Sequence, residues 1–454
     1  MATPEALLTL QGHVERLIAD DAILELRKLL IRIHPADIAD LIDVLQEKDQ
    51  IVVFELLDSV TAAEVLDETM DDTTFDLVEA IPDEQIADLL EILATDDAAE
   101  LLAELPTDRS QELIALMEPD EAREVQKLLD YKDETAGRLM SQKVARVRPR
   151  WTVEETLQYL RALDSETETF AYLYTVDDDE HLMGVVPLRH LLTASPHIKL
   201  DSLANPHVVS VNVDTDQEQV ARLVARYDFA AMPVVDRRGR LAGVITHDDV
   251  MDILAEEATK DIQRLAGSQP LERTYLSVSA LTVARKRIGW LLMLLITATL
   301  TSTVIKLFQA DLAQVATLAI FIPMLIGTGG NAGSQTTATV IRALGLGEIT
   351  PHDALRVMGH ELRAGFIMSL VMAVAAFGYA LLWSNDSALA QELALCVSLS
   401  IASILLWSVG MGAVLPLIAA RVGIDPTVVS GPMMSTLVDA TGLFIYFSIS
   451  RLIL

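Results

Sequence analysis

The chain has almost no cysteine. Cys396 is the only one in 454 residues, and it lies inside an apolar run. A single thiol closes no disulfide within the chain and builds no cysteine-based metal site. Positive charge is also scarce, with 34 Lys and Arg against 66 Asp and Glu. Phosphate binding depends on Lys and Arg, so nucleic acid is excluded as a partner. The opening MATPEALLTLQGHVERL has no basic stretch followed by an apolar core, so it does not read as a signal peptide, and the N-terminal part is expected in the cytoplasm.

The charge is unevenly spread. Residues before Arg285 hold 58 acidic and 25 basic side chains, a net −33, whereas those from Arg285 onward hold eight and nine, a net +1. An excess of that size keeps a soluble domain soluble, or forms a field for cations. At 454 residues the chain is too long for one ordinary domain.

Residues 1–131 read as helices alone. Apolar side chains recur at helical spacing at Ile38, Leu41, Ile42 and Leu45, at Ile86, Leu89, Leu90 and Leu93, and at Leu101, Leu102 and Leu105. Turn signals such as Ile81-Pro82-Asp83 and Leu105-Pro106 separate the segments, and ADIADLIDVL, DEQIADLLEIL and DDAAELLAEL resemble one another. Stacked short helices in a small superhelix account for this.

Residues 132–258 change character. Tyr172–Asp177 followed by Leu182–Leu191 shares its pattern with Met232–Asp236 followed by Leu241–Val250. Each reads as strand, tight turn, strand and helix. The doubled pattern resembles a tandem pair of cystathionine-β-synthase (CBS) modules. Residues 259–283 form a connecting helical segment, broken at Gly267-Ser-Gln-Pro270, that leads to a membrane region at 284–454.

Five stretches are long and poor in charge: Ile288–Ile305, Leu312–Ile341, Ala364–Trp383, Leu393–Ala420 and Pro426–Ser450. About 20 apolar residues span a bilayer, so five spans are expected. With the N-terminus inside, Arg285, Lys286, Arg287, Arg342, Arg356, Arg363 and Arg421 fall on the inner side, and only Lys306 and Arg451 on the outer. The positive-inside bias supports that orientation, and five spans put the C-terminus outside.

Asp439 is the residue on which function turns. It lies 13 residues after Pro426, about 20 Å into a helix starting there. An ionised carboxylate at that depth costs on the order of several kcal/mol unless it meets a cation, a proton or water. A water-filled cation pore meets that need, and so does a protonated Asp bonded to a neighbouring helix; no Lys or Arg lies at similar depth. The segment Pro323–Gln335 (PMLIGTGGNAGSQ) is rich in helix breakers. Exposed carbonyls and the Asn331 amide would offer hard oxygen ligands suited to Mg²⁺ or Ca²⁺. Close helix packing through small residues is an equal reading of the same segment. No Gly-Lys-Ser/Thr follows, so it is not a phosphate-binding loop. Mg²⁺ gives up water reluctantly, so a pore would hold the hydrated ion, and one carboxylate per chain suggests a homodimer. In the soluble part, Asp96-Asp97, Glu100, Asp214, Asp216, Glu218, Asp228, Asp248-Asp249, Asp252, Glu256-Glu257 and Asp261 have few cations near them in sequence. Brought together they would repel one another and attract divalent ions; apart, they are a solvated face.

Other functions fit less well. A sensor merely anchored in the membrane has no use for Asp439. An intramembrane aspartyl protease needs a second mid-membrane Asp. A zinc protease needs His-Glu-x-x-His, and His360-Glu361 is followed by Leu-Arg-Ala. An anion transporter needs a cationic pore. No enzyme activity is expected.

Over essentially its whole length the chain resembles the MgtE family of magnesium transporters and channels, most specifically at GTGGNAGSQ (327–335), GIDPTVVSGP (423–432) and LVDATGLFIYFSISRLIL (437–454). The resemblance implies a multidomain membrane protein: an all-α superhelical N-terminal domain, an α/β tandem CBS pair, a connecting plug helix and a five-helix α transmembrane domain. It implies a homodimer in a bacterial inner membrane, with Asp439 as the pore magnesium site helped by Asn331, Ser435 and Gly327. It further implies closure by cytoplasmic magnesium held between the N domain, CBS pair and plug, at Glu64, Asp96, Glu100, Glu218, Asp228, Asp249, Asp252, Glu257, Asp261 and Asp425. Family CBS pairs can bind ATP, for which Tyr172 and Arg189 match. The sequence departs from the family pattern at Gly431 and Ser334, each in place of Asn, at Lys260 in place of an acid, and at His190 in place of an Asp at the ribose.

Overall fold

The computed structural model describes residues 4–163, 171–271, 278–383, 389–429 and 431–454. These form two compact units, one within residues 4–257 and the other within 258–271 and 278–454.

The first unit begins with short helices. Pro35–Val44 packs on Ser59–Glu68, which packs on Asp83–Ile92, which packs on Thr107–Leu116. Every second helix therefore stacks, which is the small superhelix that the repeated segments imply. All the apolar positions that set the helical period, from Ile38 to Leu105, are buried. The turns between them are sharp because Leu45, Leu93 and Leu105 leave their helices in extended conformation, and Pro82 and Pro106 occupy the N-cap position of the next helix. Proline fits a helix entrance because its missing N–H has no partner there.

Two three-stranded sheets follow, built alike. In each, a two-residue strand pairs in parallel with the first strand of an antiparallel hairpin: β1 (Arg146–Val147), β2 (Tyr172–Val176) and β3 (Leu182–Pro187), then β4 (Val211–Asn212), β5 (Ala231–Val235) and β6 (Leu241–Thr246). Both hairpins carry a register shift at the same place, Thr175/Val176 and Val234/Val235. The tight turn of the second closes at Gly239, whose φ of 81° favours glycine. Beyond β6 one helix runs without a break from His247 to Leu265.

The second unit is dominated by long helices. Among the described residues four are long and apolar enough to cross a membrane: Ala280–Leu307, the helix ending at Trp383, Ala390–Arg421 and Gly431–Ile453. The helix Leu318–Gly345 is equally long at 28 residues but is made less apolar by its GTGGNAGSQTT stretch. Three features differ from the sequence expectations. The glycine-rich helix starts at Leu318, not Leu312, and a six-residue helix, Gln309–Gln314, precedes it. It also stays helical through Pro323 and the glycines. The reason is packing. A Cβ at Gly329 would meet Ile404 at 2.5 Å, and one at Gly333 would meet Ser408 Oγ at 2.5 Å; the bare backbone lets neighbouring helices close in. Finally, the last helix starts at Gly431. Asp425 caps a separate 3₁₀ turn at Pro426–Val428, accepting from the Thr427 N–H, and Pro432 suits the first turn of a new helix. Asp439 is thus eight residues inside its helix, about 12 Å along it.

Candidate metal sites

In the first unit, acids converge from three helices. Asp96, Asp97 and Asp249 bring carboxylate oxygens within 4.8 Å of one another. Asp96 is buried, with 7% of its surface exposed. Asp249 is placed by the abrupt change from β6 to helix: its Oδ2 accepts from the N–H (2.9 Å) and hydroxyl (2.6 Å) of Thr246. Helix Ser59–Glu68 adds Asp67. Although part of its surface stays open to solvent, lost hydration and then the charges of Glu100, Glu68, Asp249 and Asp252 push its carboxyl up to about 7. Lost hydration also raises Glu100, helped by Glu256, Asp249 and Asp252 and opposed by Arg138. Asp249 is raised by lost hydration against the Thr246 bonds, and Asp252 by lost hydration and Asp248. Arg138 sits close by, 8% exposed, donating from Nη2 to Ala99 O at 3.0 Å.

The sequence-expected ligands divide. Asp96, Glu100, Asp249 and Asp252 come together. Glu64 is exposed one turn before Asp67 on the same helix. Glu218 is engaged by Arg222, and Asp228 is exposed at a helix C-cap with φ 52°. Glu257 accepts from Gln217 Nε2 at 2.7 Å. Asp214 is paired with Arg237, and Asp216 caps the helix Gln217–Tyr227. In the second unit Asp261 is half-buried, and Asp425 is paired with Arg264 at 2.8 Å. Asp67 and Glu68 escaped the sequence reading. Their signal was the run EVLDETMDD, five acids without a base.

An Mg²⁺ held at about 2.1 Å by each oxygen has ligands up to about 4.2 Å apart. The oxygens of Asp96, Asp97 and Asp249, all within 4.8 Å of one another, lie near that range, and the donors are all hard oxygens. The residues present fit such an ion.

In the second unit the glycine-rich and last helices pack antiparallel. Ser334 Oγ donates to Gly431 O at 3.1 Å, a Cβ on Gly330 would lie 3.2 Å from Ser435 Oγ, and Tyr446 OH donates to Leu318 O at 3.1 Å. That register puts Asp439 level with residues 326–327. Gly327 and Asn331, four apart, are exposed on one helix, while Ser435 and Asp439, four apart, are half-buried on the other. The carboxylate of Asp439 has no hydrogen-bond or ion-pair partner among the described residues.

In the CBS pair, Tyr172 is half-buried with its ring edge-on to Phe229 at 6.5 Å, and Arg189 and His190 are exposed.

The family model for MgtE divalent cation transporters matches residues 322–449, that for the MgtE intracellular N domain matches 33–134, and that for CBS domains matches 136–197 and 200–256. The magnesium transporter MgtE of Thermus thermophilus is 37% identical over 432 residues, which is 94% of this chain and 95% of the relative. The chain belongs to the MgtE family. The Bacillus subtilis magnesium transporter MgtE is 32% identical across 72% of this chain and 71% of its own length. Among solved structures, the cytosolic domain of the Mg²⁺ channel MgtE in complex with ATP is similar at 38% identity and a TM-score of 0.52, covering 54% of this chain and 99% of that one. The soluble part of a magnesium transporter is similar at 30% identity and a TM-score of 0.51, covering 56% and 99%.

Proposed function

We propose that this MgtE-family chain carries Mg²⁺ across a bacterial inner membrane through a homodimeric pore, five spans per chain, with the N-terminus inside and the C-terminus outside. The observation that carries this is Asp439: a carboxylate within an apolar helix, without a protein partner among the described residues. In hydrocarbon such a group is tolerated only beside water or a cation. Asn331, Ser435 and Gly327 share its seam and offer oxygens to the water shell of a hydrated ion. Two chains would supply two carboxylates for one dication.

The carboxylate cluster is the gate. Asp96, Asp97, Glu100, Asp249 and Asp252 hold cytoplasmic Mg²⁺, with Glu64, Glu218, Asp228, Glu257 and Asp261 as further ligands as the N domain, CBS pair and plug close up. When the ion leaves, the acids repel and the closed arrangement loses its support. Wild type and Asp439→Ala, compared for magnesium uptake in cells without other importers, test the pore. Equal uptake ends this reading. Protease protection of the soluble region that is insensitive to millimolar-range magnesium ends the gating part.

ATP is a second regulatory ligand on this reading, supported by the ATP-bound relative at 38% identity and by the half-buried ring of Tyr172 near exposed Arg189. His190 supplies no carboxylate for a ribose, so weak binding is expected. ATP titration of the whole protein in detergent, with Tyr172→Ala as comparison, tests it.

A further inference from the structure

The residues after the connecting helix are seated within the second unit. Lys286 Nζ donates to Pro270 O at 2.6 Å, and the Gln269 N–H donates to Lys286 O at 3.3 Å. A Cβ on Gly267 would lie 2.5 Å from Trp290 Nε1 and 3.4 Å from the Pro432 ring, and one on Gly431 would lie 3.8 Å from Leu265 O. The segment 264–270 therefore rests on the second and third turns of Ala280–Leu307, at Lys286 and Trp290, and on the first turn of Gly431–Ile453, the helix that carries Asp439.

One ion pair fastens this seat from 161 residues away in sequence. Arg264 Nη1 lies 2.8 Å from Asp425 Oδ2, while Asp425 Oδ1 accepts from the N–H (2.8 Å) and hydroxyl (2.6 Å) of Thr427. Both oxygens of the expected ion ligand are thus engaged by protein. Lys260, one turn earlier on the same helix, is the second cation in a stretch where the family resemblance implies an acid. The guanidinium of Arg264, already on Oδ2, disfavours a dication at Asp425.

We propose that Arg264 is a positioning residue for closure: its guanidinium holds Asp425, and with it the connecting segment, at the mouth of the last helix, as a fixed charge in place of a regulatory ion. This deepens the proposed gating and rests on that reading. A guanidinium stays charged at all working pH values and does not follow magnesium concentration. This anchor therefore persists when internal magnesium falls, and it limits opening.

The test uses the full chain in proteoliposomes, with magnesium flux read while magnesium on the soluble-region side is varied. At low magnesium, Arg264→Ala should raise flux about two- to fivefold, the scale of a partly exposed ion pair. Arg264→Lys should stay near wild type. Arg264→Gln, which keeps a donor to Asp425 without the charge, should give intermediate flux at low magnesium. Arg264→Glu should be open at low magnesium and close steeply as magnesium rises, because a dication can then bridge two carboxylates. Flux of Arg264→Ala equal to wild type at low magnesium, with all proteins folded, overturns the proposal. Wild-type flux indifferent to magnesium counts instead against the gating reading, and the comparison of Arg264→Ala with wild type still decides the anchor.

Discussion

The two units use the same side chain in opposite ways. The first holds dozens of carboxylates, most of them hydrated, and no single one announces a role. The second has one carboxylate, Asp439, inside a run that is otherwise uncharged from Gly431 to Ser450. The cost of ionisation makes the difference: slight in water, large in hydrocarbon. A charge is informative where it is expensive. On the proposed reading, function in the acidic unit belongs to a set, with each member graded and partly replaceable, and in the membrane unit to one position.

The sharpest way to break this contrast is at Asp439. Asp439→Ala and Asp439→Asn should each lower magnesium flux at least about tenfold, the rate equivalent of ~1.4 kcal/mol. A fully active Asn variant would show that the charge is dispensable. Next, the membrane unit should be intolerant of bulk where backbones meet. A Cβ on Gly412 would lie 2.6 Å from Gly333 O, whereas one on Gly410 meets only Leu362 at 3.6 Å. Gly412→Val should cost about 3 kcal/mol and appear as lost folded yield in detergent, while Gly410→Ala should melt like wild type. In the acidic unit, Asp96→Asn or Asp249→Asn alone should shift the magnesium concentration for closure by a few-fold, on the order of one charge-assisted contact, and the pair by more. An all-or-none loss from one substitution would erase the contrast.

A smaller effect concerns pH. The carboxyl of Asp67 is raised from its ordinary value to about 7 in the fold. Between about pH 4 and 7 the folded state therefore holds more proton than the unfolded one, and stability falls as pH rises through that window. With chelator present, melting should drop on the order of a few degrees from pH 5.5 to 8. Asp67→Asn should flatten the dependence, and magnesium should restore stability at the upper end. The smallest effect is expected at Arg109, which is paired with Asp83 at 2.6 Å on the surface of the N domain. Arg109→Ala should alter neither flux nor its magnesium dependence.

Much of this was legible in the sequence. Burial writes a period into Ile38–Leu45 and Ile86–Leu93, and a shared architecture repeats its pattern at Leu182 and Leu241. Asp439 stood out because no other charge lies between Gly431 and Ser450. Less legible was where helices begin, since apolar composition runs straight through the turn at Pro426–Val428 and through residues 312–317. The glycines of 327–333 could break a helix or admit a neighbour, and only packing against Ile404 and Ser408 distinguishes the two. The acids at Asp67 and Asp249, like the Arg264–Asp425 pair, meet only after the chain has folded back across many residues. Local spacing carries no record of such meetings.

The unbroken helix from His247 to Leu265 has a mechanical consequence. At ~1.5 Å per residue its 19 residues make a rod of about 28 Å. Asp249 is in its first turn and Arg264 in its last. Its 19 residues include no glycine or proline, so the rod is stiff along its own length, and two glycines inserted after Ala258 would cost it about 2 kcal/mol of helix propensity and give it a soft joint.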